Sequence, residues 1–426
     1  MTPRRPEKEI HEVLYDDPDA AVLGDDSLVR HSSYDTLPIP PEHLREWQDT
    51  TLDRIRELPR RRILEIGAGA GLPMARLARD EEVHEYWATA SSPATVAALA
   101  ARVAHDPVLK GKVRLDRRDT EDTSGLPTGH FDTVVVTSVA RSCPSLAHLR
   151  TVVERAVALL GPNGSLFLGD LRNRELARCF RTGVALARPG AARSDREALR
   201  RGIEQQVATE PELLVPPGLF DALAQDLPAV RAVDVRAKRG RNHNELTRYR
   251  YDAVLSTAEP VADLRTAPAL RWGRDLPGTV EAVHRLTASR PRVLRLAGIP
   301  NRRVHDEYTA MQSLFDPRES IHLAPQDAPA PDPEVLCATA ESLGYRALPT
   351  WGESPDVLDI VLLDPEQFPV GRLTGVYAAS FTGSGSRADA PAAGEHTAGP
   401  DAAPRHQERP ARPALPPAPR LLTSCR

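Results

Sequence analysis

A chain of 426 residues is long enough for two or three domains and a sizeable buried core. With 55 Lys and Arg against 59 Asp and Glu, it carries no basic block of the kind that binds nucleic acid, and scattered Arg reads as solvated helix face. Four widely spaced cysteines without a C-x-x-C pair, no hydrophobic leader core and no apolar run of membrane length predict a reduced, metal-free, cytoplasmic protein with no membrane partner.

Residues 1–30 are polar and acidic, with a weak helical signal at 10–14. Pro38, Pro40 and Pro41 fix an extended entry, after which Leu44, Trp47, Leu52, Ile55 and Leu58 recur at helical spacing. Residues 1–60 are therefore expected as an N-terminal helical cap. Within it, Ser32, Ser33 and Tyr34 either serve packing alone or lie over a ligand mouth. Next, the apolar run Ile63, Leu64 and Ile66 meets Gly67-Ala68-Gly69-Ala70-Gly71, and helix formers follow to about residue 79. That is strand, glycine turn, helix, the opening of a β-α-β nucleotide-binding unit. Further strands are expected at 85–89, 113–116, 132–136 and 165–168, with helices at 93–104 and 147–160. Apolar strands with helical crossovers mean a parallel sheet covered on both faces. Ligands of such sheets sit outside the carboxyl ends of the strands, where the glycine loop, Ala90, Ser138 and Asp170 fall.

Residues 174–187, 195–209 and 211–228 read as helical pieces. Strands at 233–238 and 251–255 then form an antiparallel hairpin that finishes the mostly parallel sheet. The expected core domain is 61–258. A weaker α/β pattern over 270–365 (strands at 293–296 and 359–363, helices at 304–314 and 333–343) is expected as a small appendage. Residues 381–426 are Pro, Ala, Gly, Ser and Arg with almost no bulky apolar side chain, the composition of a disordered tail. The fold class is α/β, with a Rossmann-like sheet.

The stretch RRILEIGAGAGLPMARL, with Glu65 at the strand end, resembles motif I of class I S-adenosylmethionine (SAM) methyltransferases. SSYDTLPIPPEHLREWQDTTLDRI stands before it, and EEVHEYWATASSP, DTSGLPTGHFDTVVVTSV, GDLRNRELARCF and KRGRNHNELTRYRYD follow. Together, over 32–252, they resemble the methyltransferase domains inserted into adenylation domains of nonribosomal peptide synthetases. Residues 271–363 look like the segment that follows in that group, and LTGVY at 373–377 looks like resumed adenylation-domain sequence. No adenylation or carrier domain is present in the chain.

The resemblance implies SAM bound at the strand ends and methyl transfer, usually to nitrogen, on an aminoacyl or peptidyl group. The acceptor would be a small molecule or a thioester on a synthetase carrier domain. Gly67, Gly69 and Gly71 would cradle the methionine part, Glu65 would orient its amino group, and Asp119 or Asp122 would meet the adenine. Thr89 and Ser138 end the second and fourth strands at the same mouth. On the acceptor side the polar turn at 241–248 offers His243 as a base and Glu245 to orient the amine, with Asn244 between them; the alternative is that these polar residues only shape the turn.

Two positions depart from the family. Ala90 stands where an acidic residue would hold both ribose hydroxyls, a loss worth roughly 1.5–3 kcal/mol. After the fourth strand, Thr137-Ser138-Val139-Ala140-Arg141 replaces the usual amide and aromatic groups and brings positive charge near a sulfonium. Two readings follow: an active methyltransferase in nonribosomal peptide-type metabolism, or a catalytically reduced relative that binds or scaffolds. A nicotinamide oxidoreductase is disfavoured by G-x-G-x-G in place of G-x-G-x-x-G.

Overall fold

The strand β1 (Arg62–Ile66) obeys the period of two that its apolar residues announce. Ile63 enters one core, with Leu52 and Ile55 of helix α1 (Pro41–Arg56), while Leu64 and Ile66 enter the other. The computed structural model describes residues 30–137, 143–188, 195–316, 331–368 and 372–378. All of them fall in one compact unit.

After β1 come α2 (Leu72–Leu77), β2 (Glu85–Ala90), α3 (Pro93–His105), β3 (Val113–Arg117), β4 (Phe131–Thr137) and α4 (Leu146–Leu159). Then follow β5 (Leu160–Asn173), α5 (Ala177–Ala187), β6 (Leu214–Val215), β7 (Ala232–Ala237) and β8 (Arg250–Ser256). The sheet runs β3-β2-β1-β4-β5-β8-β7, with β6 paired to the far end of β5. Strands β1 to β5 pair in parallel, and β8 lies antiparallel to both β5 and β7. The α/β reading with an antiparallel closing hairpin holds, and β8 sits inside it rather than at the edge. Helices α3 and α4 start where their cap residues direct: the Ser92 hydroxyl accepts from Thr95 N–H, and Ser145 accepts from His148 N–H.

Two local expectations change. The fifth strand counts 14 residues from Leu160, because Leu160 and Ser165 both pair with β4, opposite Phe131 and Thr133, while GPNG bulges out between them with Asn163 at a φ of 64°. Its register with β8 shifts between Leu168 and Leu171, where Asp170 takes a φ of 62° and a Cβ on Gly169 would come within 2.6 Å of the Phe167 ring. The helical piece read at 211–228 is a two-residue strand, β6, followed by the helix Leu219–Asp226, Pro216 and Pro217 having ended the first and opened the second.

A second sheet follows β9 (Ala262–Asp263). Its strands are β10 (Ala269–Arg271), β11 (Val293–Pro300), β12 (Arg346–Trp351) and β13 (Val357–Leu363), in the order β10-β11-β13-β12. Helices α6 (Val280–Thr287), α7 (His305–Phe315) and α8 (Pro333–Ser342) accompany it, and β14 (Leu373–Thr374) pairs with β9. Neither α6 nor β12 is read in the sequence. Strand β12 contains Pro349, which has no N–H to give a ladder and survives because the strand is the edge of its sheet. Val304, Trp351 and Leu358 of this second part share one apolar cluster with Leu166 and Phe180 of the first. Among the described residues no helix is long and apolar enough to cross a membrane. The weak helical signal at 10–14 and the tail at 381–426 lie outside the described residues.

Candidate active site

The glycine turn leaves β1 with positive φ at Gly67 (80°), Gly69 (50°) and Gly71 (79°), a conformation that side chains resist. It is pinned from the neighbouring strand. Gly67 and Ala68 donate their N–H groups to the Thr89 carbonyl at 3.0 and 2.8 Å, and Gly67 N–H lies 3.3 Å from the Thr89 hydroxyl. Thr89 is buried and its hydroxyl serves the turn itself. A Cβ placed on Gly69 would meet nothing within 4 Å, so the loop faces open space on that side.

Glu65 lies beneath the turn, 1% exposed. Its Oε2 accepts from the Tyr86 hydroxyl at 2.8 Å, while Oε1 accepts no hydrogen bond among the described residues. Burial pushes the carboxyl up to about 8, against the pull of the Tyr86 hydroxyl and the Met74 amide. At the end of β2, Ala90 is buried and brings no charge, and Ser92 is committed to capping α3. Beyond β3 the two aspartates separate. Asp122 accepts from the Ser124 N–H and hydroxyl at 3.0 and 2.6 Å, which hold its carboxyl below the usual range. Asp119 is exposed, and its carboxylate has no partner among the described residues. Ser138 and Arg141 lie outside the described residues.

Because β8 runs against β5, its first residue Arg250 pairs with Arg172 near the carboxyl end of β5, so the β7–β8 loop hangs at the same end as the glycine turn. The loop is strapped from several sides. Glu46 of α1 accepts from Arg241 N–H and Asn242 N–H, both at 2.9 Å, and Arg303 donates to the carbonyls of Lys238 and Gly240. Asn244 caps the short helix Glu245–Arg248 in a capping box with Thr247. His243 Nε2 lies 3.1 Å from Asp332 at the start of α8, toward the second sheet. Glu245 turns the other way and accepts from Ser33 N–H at 2.8 Å and from the Ser33 hydroxyl at 3.1 Å. The three residues are thus adjacent in sequence and diverge in space. Asp170, also in view from sequence, is buried: it accepts from Trp47 Nε1 at 2.9 Å and from Arg250 at 3.0 Å, tying α1 to the sheet.

Sequence reasoning missed the group these residues frame. The Tyr34 hydroxyl lies 2.8 Å from the Tyr249 hydroxyl, Tyr249 donates to Glu307 of α7, and Arg248 pairs with Glu307 at 2.8 Å. Phe180 packs edge-on against both tyrosine rings. Burial raises Glu307 above the ordinary carboxylate range despite Arg248, and it keeps both phenols un-ionised. Tyr249 lay within the NHNELTRYRYD stretch; Glu307 lies 58 residues further on, with no motif around it.

The central sheet order, parallel from β1 to β5 with an inserted antiparallel β8, holds a glycine turn after β1. The sequence pattern of a methyltransferase domain matches residues 64–166. Over those residues the chain is similar to a methyltransferase domain. The chain is 38% identical over 354 residues, or 82% of its length, to CymA of Salinispora arenicola, described as a non-canonical nonribosomal peptide synthetase. It is 37% identical over 57% of its length to chondramide synthase cmdD of Chondromyces crocatus, and 32% identical over 58% to the nonribosomal peptide synthetase kk1B of Curvularia clavata. It spans only 4%, 6% and 2% of those relatives' own lengths.

SAM is the cofactor of such a domain, supplying a methyl group on a sulfonium. The chain fits it at two places, the open side of Gly69 and Glu65 Oε1, which accepts no hydrogen bond among the described residues, and it lacks the usual ribose acid at Ala90. Among the described residues, no three His, Cys, Asp or Glu side chains gather as a metal site.

Proposed function

We propose that this methyltransferase methylates an amine nitrogen of an aminoacyl or peptidyl acceptor, carried on a synthetase carrier domain, in nonribosomal peptide-type metabolism. The observation that carries the proposal is the Tyr34–Tyr249–Glu307 chain, at the same end of the sheet as the glycine turn. An amine must lose a proton to offer its lone pair, and this chain gives the proton a route and a destination. The amine N–H gives its proton to the Tyr34 oxygen as Tyr34 gives its own to Tyr249 and Tyr249 gives its own to Glu307. The phenols end unchanged and Glu307 ends protonated. Its raised basicity suits the task. Glu245, fixed by Ser33, orients the amine, while His243 and Asn244 hold the loop in place. Gly67, Gly69, Gly71 and Glu65 hold the methionine part of the cofactor, and Asp119, the free one of the two aspartates, takes the adenine amino group. Alignment of acceptor and methyl contributes on the order of 7–11 kcal/mol in well-oriented reactions.

Ala90 supports a second reading, a methyltransferase fold kept for binding rather than turnover. Calorimetric titration of SAM into the protein and into an Ala90→Asp variant separates the two. Micromolar binding by the unmodified protein, tightened roughly tenfold to a hundredfold in the variant, supports the enzyme. Binding seen only in the variant favours the non-catalytic reading, and binding in neither overturns both.

A further inference from the structure

At the opposite end of β1 from the glycine turn, a cavity of about 450 Å³ opens between the end of α1, the segment before β1, and strands β7 and β12. Six arginines line it, Arg54, Arg56, Arg60, Arg236, Arg346 and Arg372, against three carboxylates, Glu57, Glu82 and Asp234. The carboxylates are already engaged. Asp234 holds Arg54 at 2.5 Å and Arg236 at 2.7 Å, Glu57 holds Arg54 at 2.8 Å and Arg236 at 3.0 Å, and Glu82 holds Arg60 at 3.0 Å. Arg346 reaches only the edge of this network, 3.5 Å from Glu57. Arg372 donates to a single backbone carbonyl, that of Asn163, at 3.3 Å.

Asp80, outside the lining, pairs with Arg56 at 3.1 Å and lies 3.7 Å from Arg60 Nε. Four of the six arginines keep a solvent-shielded nitrogen without a hydrogen bond among the described residues: Arg54 Nε, Arg60 Nε, Arg346 Nη1 and Arg372 Nε. Unmatched buried donors on charged groups are costly, and of the nine arginines that carry one among the described residues, four gather around this cavity. The crowding is felt at Arg346, whose basicity is lowered by burial and by Arg236 and Arg54 beside it. A carboxylate brings one negative charge and two oxygens to be shared among four guanidinium groups. A phosphate monoester offers three terminal oxygens and between one and a half and two negative charges. Leu58, Val254 and Leu373 give the same cavity an apolar wall.

We propose that this cavity binds a phosphorylated small molecule, with the phosphate on the arginines and an apolar part against Leu58, Val254 and Leu373. It is a second site, separate from the glycine turn, and stands whether or not the chain turns over SAM. Its test is calorimetry and thermal melting of the full chain with inorganic phosphate, phenyl phosphate and phenol, at matched ionic strength. The expected result is binding of both phosphates with a raised Tm, phenyl phosphate the tighter, and no binding of phenol. Arg346→Gln and Arg372→Gln, which disturb no strong ion pair, are each expected to weaken phenyl phosphate at least tenfold while leaving Tm without ligand and SAM titration unchanged. No phosphate binding at millimolar concentration, binding undiminished in both variants, or phenol binding as well as phenyl phosphate would overturn the proposal.

Discussion

Glu65 is ionisable in a place that suits a neutral group. Its folded value of about 8 lies above the ordinary 4.5, so the folded chain holds this proton more tightly than the unfolded one. Below 4.5 both states carry the proton and the group contributes no difference; between 4.5 and 8 the unfolded chain ionises first, and stability falls as pH rises. Above that range the whole penalty is present. Glu65→Gln cannot ionise, so the urea midpoint of the variant, relative to the parent, is expected to climb across this window and then level off. A constant difference would mean that Glu65 is ionised throughout. At this scale the sequence was most legible where backbone conformation dictates residue type. The glycines of the turn had to be glycine. Side-chain direction was not legible: His243, Asn244 and Glu245 look like one polar cluster in the sequence, but they diverge because a capping box rotates each onto a different face.

Among the elements, α5 and α7 meet at a point that permits a test of the proton route without touching its members. Gly183 lies in α5 where a Cβ would approach Glu307 Cδ to 2.8 Å and Oε1 to 2.9 Å. The obstructing atoms are the far end of a flexible side chain, so Gly183→Ala displaces the carboxylate rather than the helix. Alanine in a helix gains up to about 1 kcal/mol over glycine, which offsets the loss of the Arg248 pair. The variant is expected to keep its Tm within a few degrees and its SAM affinity within twofold, while kcat for amine methylation falls by roughly 10²-fold. Glu307→Gln should lower kcat as far and abolish the acid limb of the pH profile, which in the parent is set by a carboxyl titrating above its ordinary range. A kcat unchanged in both variants would remove Glu307 from the mechanism. Elements with a clean period were readable in advance, and β1 to β4 and α1 lie close to their expected bounds. Strand β12 was not, because an edge position excuses Pro349, and edge position is a property of the sheet rather than of the segment.

Across the whole molecule, the two sheets are joined through charged groups as well as through the shared core. Arg303, 4% exposed, donates to two carbonyls of the β7–β8 loop, and Arg239 answers from that loop to Glu334 at 2.6 Å and Glu341 at 2.7 Å. Arg303→Met leaves both carbonyls buried and unmatched, at about 1–3 kcal/mol each. The variant is expected to unfold at lower urea, and amides over 238–249 should exchange faster even where the first sheet stays protected. Unchanged exchange in the loop would show that Glu46 and Ser33 hold it unaided. The sequence pattern over 270–365 was read as an appendage. What that reading could not contain is that Glu307 extends from it into the acceptor side of the first sheet, since long-range contact leaves no local periodicity. This has a practical consequence for recombination. A donor fragment excised at the end of β8, where the seven-stranded order is complete, would carry the matched sequence pattern and still lack Glu307, the carboxylate at which the proposed proton route ends. On that proposal, chimaeras need their downstream junction beyond α7, and a transplant that binds cofactor but leaves amines untouched is the expected phenotype of one cut too soon.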